Sequence, residues 1–262
     1  QKTAYEIRNC DWSSDVCSSD LGKDRPGESA SGRDLNQEKF YGRRKGRPLR
    51  TRRQKLLEDF LPRIEIPVPI SGSIDPFKLF NNLKSKISVE IGFGGGEHLA
   101  WQAAENPDVG FIGAEPFISG VASCLAHISD KKLENVRIYP DDGRHLLTAL
   151  PEGSIHRVFV LHPDPWRKRR HWERRLIGPH GLDAIARVLK DDGELRVATD
   201  HAGYQVWMLR WLQNDERFCW KAKNADDWRV RPADWPETRY EAKAIREGRI
   251  PIRLSYQRLA RK

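Results

Sequence analysis

The sequence predicts an α/β fold, a mostly parallel seven-stranded sheet with helices on both faces. Two observations predict it. From residue 86 onward, short β-branched runs alternate with longer stretches of helical spacing. The first of these runs, Lys86 to Ile91, leads into Gly92-Phe93-Gly94-Gly95-Gly96 and then straight into a helical stretch. A buried strand that feeds a glycine turn and a helix start is how a β-α unit opens. Glycine lets the backbone take positive φ and approach a ligand closely, and the helix start turns free N–H groups toward the turn.

Taken in order, residues 1–37 lack periodicity and are rich in Ser, Asp and Gly, so they read as disordered. Within them, Asp11 to Leu21 resembles the translation of a sequencing-adaptor oligonucleotide. On that reading, roughly the first twenty residues are an artefact of gene assembly, and Cys10 and Cys17 carry no meaning. Residues 38–85 form a basic arm and lead-in. Lys39 to Arg53 holds eight Lys or Arg and no acid, with Phe40 and Tyr41 at its edge, a candidate nucleic-acid arm or a solvated linker. Gln54 to Leu61 reads as a short helix that Pro62 ends, Ile64 to Ile70 as extended, and Asp75 to Asn82 as a helical turn.

The domain proper spans 86–262. Strands are expected at Ile87–Ile91, Val109–Ala114, Val136–Tyr139, Ile155–Leu161 and Glu194–Thr199. Helices are expected at Glu97–Glu105, Phe117–Ser129, Gly143–Ala149, Leu182–Leu189 and Tyr204–Gln213. Arg217 to Lys223 and Ile252 to Gln257 read as two further strands that complete the sheet.

Composition narrows the function classes. The chain has 262 residues, enough for one sizeable core. No apolar run approaches the ~20 residues of a membrane helix, and no signal-peptide core is present. A cytoplasmic protein without a membrane partner is expected. The net charge is +9, and residues 1–37 carry five Lys or Arg against seven acids, which leaves +11 for the remainder. Such an excess suits a polyanionic partner. Cys10, Cys17, Cys124 and Cys219 show no paired spacing, so neither a disulfide framework nor a metal site is expected.

Ligands in parallel α/β sheets bind at the carboxyl ends of the strands. Acids stand at four successive ends: Glu90 before the glycine turn, Glu115 after the second strand, Asp141-Asp142 after the third and Asp164 after the fourth. Glu115 is placed to accept bonds from ribose hydroxyls. Each acid alone could be a loop residue or a helix cap. The fourth loop, His162-Pro163-Asp164-Pro165-Trp166, is followed by Arg167, Lys168, Arg169, Arg170, His171, Arg174 and Arg175, with Trp172 among them. Prolines stiffen the backbone around Asp164, and tryptophans offer stacking faces for a base.

These residues carry a resemblance. From about Tyr41 to Arg258 the chain resembles the bacterial tRNA (guanine-N7)-methyltransferases. The matching pieces are Glu90 to Gly96, Gly113-Ala114-Glu115-Pro116-Phe117, Pro163 to Trp166 with the basic run, Ala198-Thr199-Asp200, and Thr238-Arg239-Tyr240-Glu241 with Gly248. The resemblance implies a Rossmann-like class I methyltransferase fold. It implies S-adenosylmethionine as cofactor, tRNA as partner, and methylation of guanine N7 at position 46 in the variable loop. It further implies that Glu90, Gly92, Gly94, Gly96, Glu115, Asp142 and Asp164 surround the cofactor, with Asp164 also catalytic. Lys168, Asp200, Thr238, Arg239, Tyr240 and Glu241 correspond to substrate-side residues, and Arg170, His171, Arg174 and Arg175 to the RNA-contacting segment. Two departures stand out: Asp141-Asp142 offers two acids for one role, and Glu173 interrupts the basic run.

Thr238 with Glu241 three residues on also reads as a capping box at a helix start. Two competing functions remain beside the main one. A non-catalytic RNA-binding module would use the basic segments but not the strand-end acids. A methyltransferase acting on another RNA would use both.

Overall fold

The structure, a computed structural model, describes residues 40–68 and 72–262. The expectations for residues 1–37, Cys10, Cys17, Lys39 and the Pro69-Ile70 end of the extended segment lie outside the described residues.

The chain enters through α1 (Thr51–Lys55), a π-helical turn (Leu56–Phe60) and α2 (Leu61–Ile64). Pro62 does not end this helical stretch as expected. It sits in the first turn of α2, where its missing N–H leaves no bond unmade, and the preceding stretch is wound as a π-helix. Glu65 then bridges to Ile138, and Ile66 is buried in the core.

The main body is β1 (Lys86–Ile91), α3 (Glu97–Glu105), β2 (Val109–Ala114), α4 (Ile118–Lys131), β3 (Val136–Tyr139), α5 (Gly143–Ala149) and β4 (Ile155–Leu161). A 3-10 segment (Arg169–Arg174) follows, then α6 (Pro179–Val188), β5 (Leu189–Thr199) and α7 (Ala202–Gln213). The chain closes with β6 (Phe218–Trp220), α8 (Asp226–Arg229), α9 (Arg239–Arg246) and β7 (Ile252–Arg258). Several elements start earlier than the sequence suggested. Pro179 opens α6 at a position where its fixed φ suits the helix, and β5 gains five residues across an irregular register with β4.

All seven strands form one sheet in the order β3-β2-β1-β4-β5-β7-β6. β1 to β5 are parallel, and β7 inserts antiparallel between β5 and β6. Strand alternation divides the core between two faces. Ile87, Val89, Ile91, Val158 and Val160 pack with α5, α6 and α7 residues such as Leu146, Ile185 and Met208. Phe111 and Phe159 pack on the other face with Leu99, Val121 and Leu125. The chain order reverses between β1 and β4, so a crevice opens at their carboxyl ends.

Candidate active site

Glycines shape the floor of this crevice. Gly92, Gly94 and Gly96 have φ of +74, +55 and +78, a region where glycine alone is unstrained. A Cβ at Gly92 or Gly94 would meet nothing within 4 Å, so both face open space, whereas one at Gly96 would lie 2.4 Å from Cys124 Sγ. Gly96 is also the N-cap of α3. The turn is braced by Glu115, whose two oxygens accept from the N–H groups of Gly94 (2.8 Å) and Phe117 (2.9 Å). Burial raises the Glu115 carboxyl above the ordinary range against these two bonds, which lower it.

Glu90 is buried at the end of β1, its Oε2 2.8 Å from Nδ1 of the equally buried His98. His98 was not singled out by sequence. Its one available signal was its place in the first turn after the glycines, and the ring rests between Phe159 and Trp235. Asp142 caps α5, accepting from Arg144 N (3.0 Å) and pairing with the Arg144 guanidinium (2.6 Å). Asp141 pairs instead with Arg44 at 2.7 Å. Asp164 is exposed toward the crevice and accepts no hydrogen bond from the described residues.

The loop that carries Asp164 is held in a demanding shape. His162 and Trp166 take φ of +50 and +43, conformations that cost a side-chain-bearing residue of order 1 kcal/mol or more. Arg175 supplies the restraint. It is buried, its Nε donates to Pro165 O (2.8 Å), and its guanidinium stacks on Trp172, Tyr204 and Trp207, each 4.8–4.9 Å away. Burial pulls its pKa down to about 10. Arg175 is thus held by backbone carbonyls and aromatic rings, at the base of a surface cavity that the exposed Arg169 and Arg170 also line. Lys168 and Arg170 are exposed, and Arg170 Nε donates to His171 Nε2 (3.3 Å). Arg174 lies over the Tyr41 ring at 3.6 Å and near Trp166 at 5.2 Å.

The opposite rim is built by residues 231–241. Thr238 caps α9 by accepting from Glu241 N (3.2 Å), the first half of the expected capping box. The second half is replaced: the Glu241 carboxylate is buried and pairs with Arg253 of β7. Arg253 was missed because it stands in the polar phase of the Ile252-Leu254-Tyr256 alternation, where the sequence gives no sign of burial. Arg239 pairs with Glu97 above the glycine turn, and Arg196 pairs with Asp234 at 2.7 Å. Tyr240, half-exposed, lies 4.9 Å from His162 and reaches Asp200 Oδ1 at 3.4 Å. Asp200 also pairs with Arg249. His162 is nearly buried among Arg253, Arg249 and Asp200, and desolvation, then the two arginines, lowers its pKa to about 4, so the ring is neutral.

The crevice thus has two halves. One runs from Ile91 and Asp142 to Asp164 and Trp166. The other joins Glu90 and the glycine turn to His162, Tyr240 and Glu241. Acids stand in both halves, Glu90 in the second and Asp142 with Asp164 in the first, and Asp164 accepts no hydrogen bond from the described residues. This set of acceptors fits a ligand that carries positive charge and hydroxyl or amine donors, as S-adenosylmethionine does. Among the described residues no cluster of three or more His, Cys, Asp or Glu could hold a metal, and no helix is long and apolar enough to cross a membrane.

Comparison with known proteins decides the kinship. A family model described as "Putative methyltransferase" matches residues 84–254. A protein of Rhodospirillum rubrum named tRNA (guanine-N(7)-)-methyltransferase is 50% identical over 226 residues, 85% of this chain and 89% of the relative. The chain belongs to the tRNA (guanine-N7)-methyltransferase family. A relative of the same name from Chelativorans sp. is 45% identical over 85% of this chain and 96% of its own length. In structure, the chain is similar to the 16S rRNA methyltransferase KamB, with a TM-score of 0.52 and 15% identity over 72% of this chain and 95% of that one. At that identity the likeness concerns the fold: a Rossmann-like class I methyltransferase sheet, as expected. The glycine turn and the Pro163-Asp164-Pro165-Trp166 loop follow β1 and β4, neighbouring parallel strands, at their carboxyl ends.

Proposed function

We propose that this chain methylates N7 of a guanine in tRNA, at position 46 of the variable loop, with S-adenosylmethionine as methyl donor. The observation that carries this reading is the 50% identity over 226 residues to a relative named for that activity. The crevice geometry supports it. Glu90, Gly92, Gly94, Gly96 and Glu115 would hold the cofactor along the glycine turn, and Asp142 would face its base. The cofactor supplies, when bound, a methyl group on a positively charged sulfur.

Guanine N7 has an in-plane lone pair that is free at neutral pH, so no proton must leave before attack. The protein's main task is orientation, which can supply up to ~7–11 kcal/mol. Positive charge moves onto the purine during transfer. Asp164, with unused oxygens on a braced loop, is the group to stabilise it or to hold the N1 and N2 donors of the guanine. Tyr240 and the neutral His162 form an aromatic wall for the base. Asp200 and Arg239 shape the substrate side, and Thr238 and Glu241 fix the helix that presents them. Lys168, Arg170 and His171, with Arg174, would hold phosphates flanking the extruded nucleotide, whose extrusion costs a few kcal/mol. Arg175 is a positioning residue for Asp164. The reaction would place the protein in the cytoplasm with its tRNA.

The test is methyl transfer from labelled S-adenosylmethionine to unmodified tRNA, followed by mapping of the labelled nucleoside. N7-methylguanosine in the variable loop is expected, and Asp164→Asn should reduce turnover far more than cofactor affinity. Label appearing only in ribosomal RNA would move the substrate to another RNA. Absence of cofactor binding would leave an RNA-binding scaffold.

A further inference from the structure

The basic arm does something its charge does not suggest. Residues 40–46 lie along the carboxyl edge of the sheet and are attached at three points. The Arg44 carbonyl accepts from Ile118 N at 3.0 Å, where α4 begins after β2. The Arg44 guanidinium pairs with Asp141 at 2.7 Å, after β3. The Tyr41 ring sits beneath the Arg174 guanidinium and edge-on to Trp166, 6.4 Å between centroids, after β4. Further along, a Cβ at Gly46 would lie 2.8 Å from Ser119 Oγ and 2.9 Å from Phe117 Cζ, so the backbone lies close against the start of α4.

Phe40, Tyr41 and Gly42 consequently complete the half of the crevice that holds Asp142 and Asp164. That half is lined by the apolar Ile91, the acids Asp142 and Asp164, the rings of Phe40, Tyr41 and Trp166, and Arg144 and Arg174, the former paired with Asp142. A flat purine with an amine edge matches this lining: rings accept a stacked base, and carboxylates accept from an amine.

We propose that Phe40 to Arg44 form the outer wall of the adenine half of the cofactor crevice, with Tyr41 facing the base and Arg44–Asp141 as the latch. The arm then serves the cofactor, and its charge is spent partly on Asp141 rather than wholly on RNA. The inference rests on S-adenosylmethionine being the cofactor.

The deciding measurement is calorimetric titration of S-adenosylmethionine into the full chain without RNA. Tyr41→Ala and Arg44→Glu are each expected to weaken binding about tenfold or more. Tyr41→Phe, which keeps the ring, should lose far less affinity than Tyr41→Ala, and Arg44→Glu combined with Asp141→Arg should recover most of the loss, which a misfolded variant could not do. Affinities of Tyr41→Ala and Arg44→Glu within about twofold of the unaltered protein would overturn the inference. In that case tRNA binding across a salt series would show a smaller slope for Arg44→Glu, as an RNA arm requires. If the unaltered protein itself failed to bind S-adenosylmethionine, the cofactor reading would fall first, an outcome distinct from the failure of the arm variants alone.

Discussion

Replacing Arg175 by lysine separates a positioning role from a phosphate contact. The side chain is buried, donates to Pro165 O at 2.8 Å, and stacks on three aromatic rings. Lysine keeps the positive charge but loses the planar face and the fixed fork of donors, and its ammonium is more strongly hydrated, so burying it is harder. Losing a charge-assisted hydrogen bond costs about 1.5–3 kcal/mol, and a cation–π contact about 0.5–2 kcal/mol. These contributions overlap, so a total of roughly 2–4 kcal/mol is expected. For a domain of this size that lowers Tm by roughly 5–15 °C. The assay is thermal unfolding, paired with tRNA binding over a salt series. Arg175→Lys should lower Tm and turnover while leaving the salt slope unchanged, because the loop around Asp164 relaxes. The exposed Arg170, replaced by alanine, should do the reverse: unchanged Tm, and a slope smaller by about one. An Arg175→Lys protein with the original Tm would refute the reasoning, since a side chain valued only for its charge tolerates lysine.

Three further outcomes follow from the same structure. Gly96→Ala should destabilise by about 2–5 kcal/mol in urea denaturation, because a left-handed φ of +78 and a Cβ 2.4 Å from Cys124 Sγ act together. Gly94→Ala, with φ of +55 and open space in front, should cost only about 1–2 kcal/mol, and equal effects would contradict this packing. Arg253→Met should cost about 3–5 kcal/mol by stranding the buried Glu241 carboxylate, and adding Glu241→Leu should recover part of it in a double-mutant cycle. His162 has its pKa lowered to about 4, so the folded state binds fewer protons than the unfolded chain between pH 4 and 6.5. Its contribution is present above 6.5 and is lost as pH falls toward 4, as much as ~3 kcal/mol. His156 is lowered to about 4 as well, so His162→Phe should reduce, not abolish, the acid slope of stability; an unchanged slope would mean the ring is accessible to protonation in the folded protein.

Much of the fold was legible in the sequence because it depends on local regularities. β2, β3 and β4 coincide with their expected bounds, and α3 and α5 likewise, since strand and helix periods and turn residues are properties of a few neighbouring positions. Pro62 misled because a proline interrupts a helix only where its missing N–H was needed, and the π-helical turn before it changes which N–H that is. The rims of the site were less legible. Thr238 was readable as a cap, but the Glu241 partner comes from another element, β7.

By itself, the sequence determined the alternating α/β order, the glycine turn after β1, and the acids at the ends of four parallel strands. Each follows from backbone conformational limits and from side-chain periodicity along one segment. Only the tertiary structure decided which charges face the crevice and which are consumed inside the protein. Arg170 and Arg175 stand five positions apart in one basic run, yet one is exposed and the other is buried against three rings. Arg44 meets Asp141 across a long stretch of chain, and Phe40, Tyr41 and Gly42 come to line the crevice beside Asp142 and Asp164. A guanidinium has the same formula on a carbonyl, a carboxylate or a phosphate. Its role is set by desolvation and by the partners that distant elements bring within bonding range, and those are fixed only when the sheet and its helices have packed.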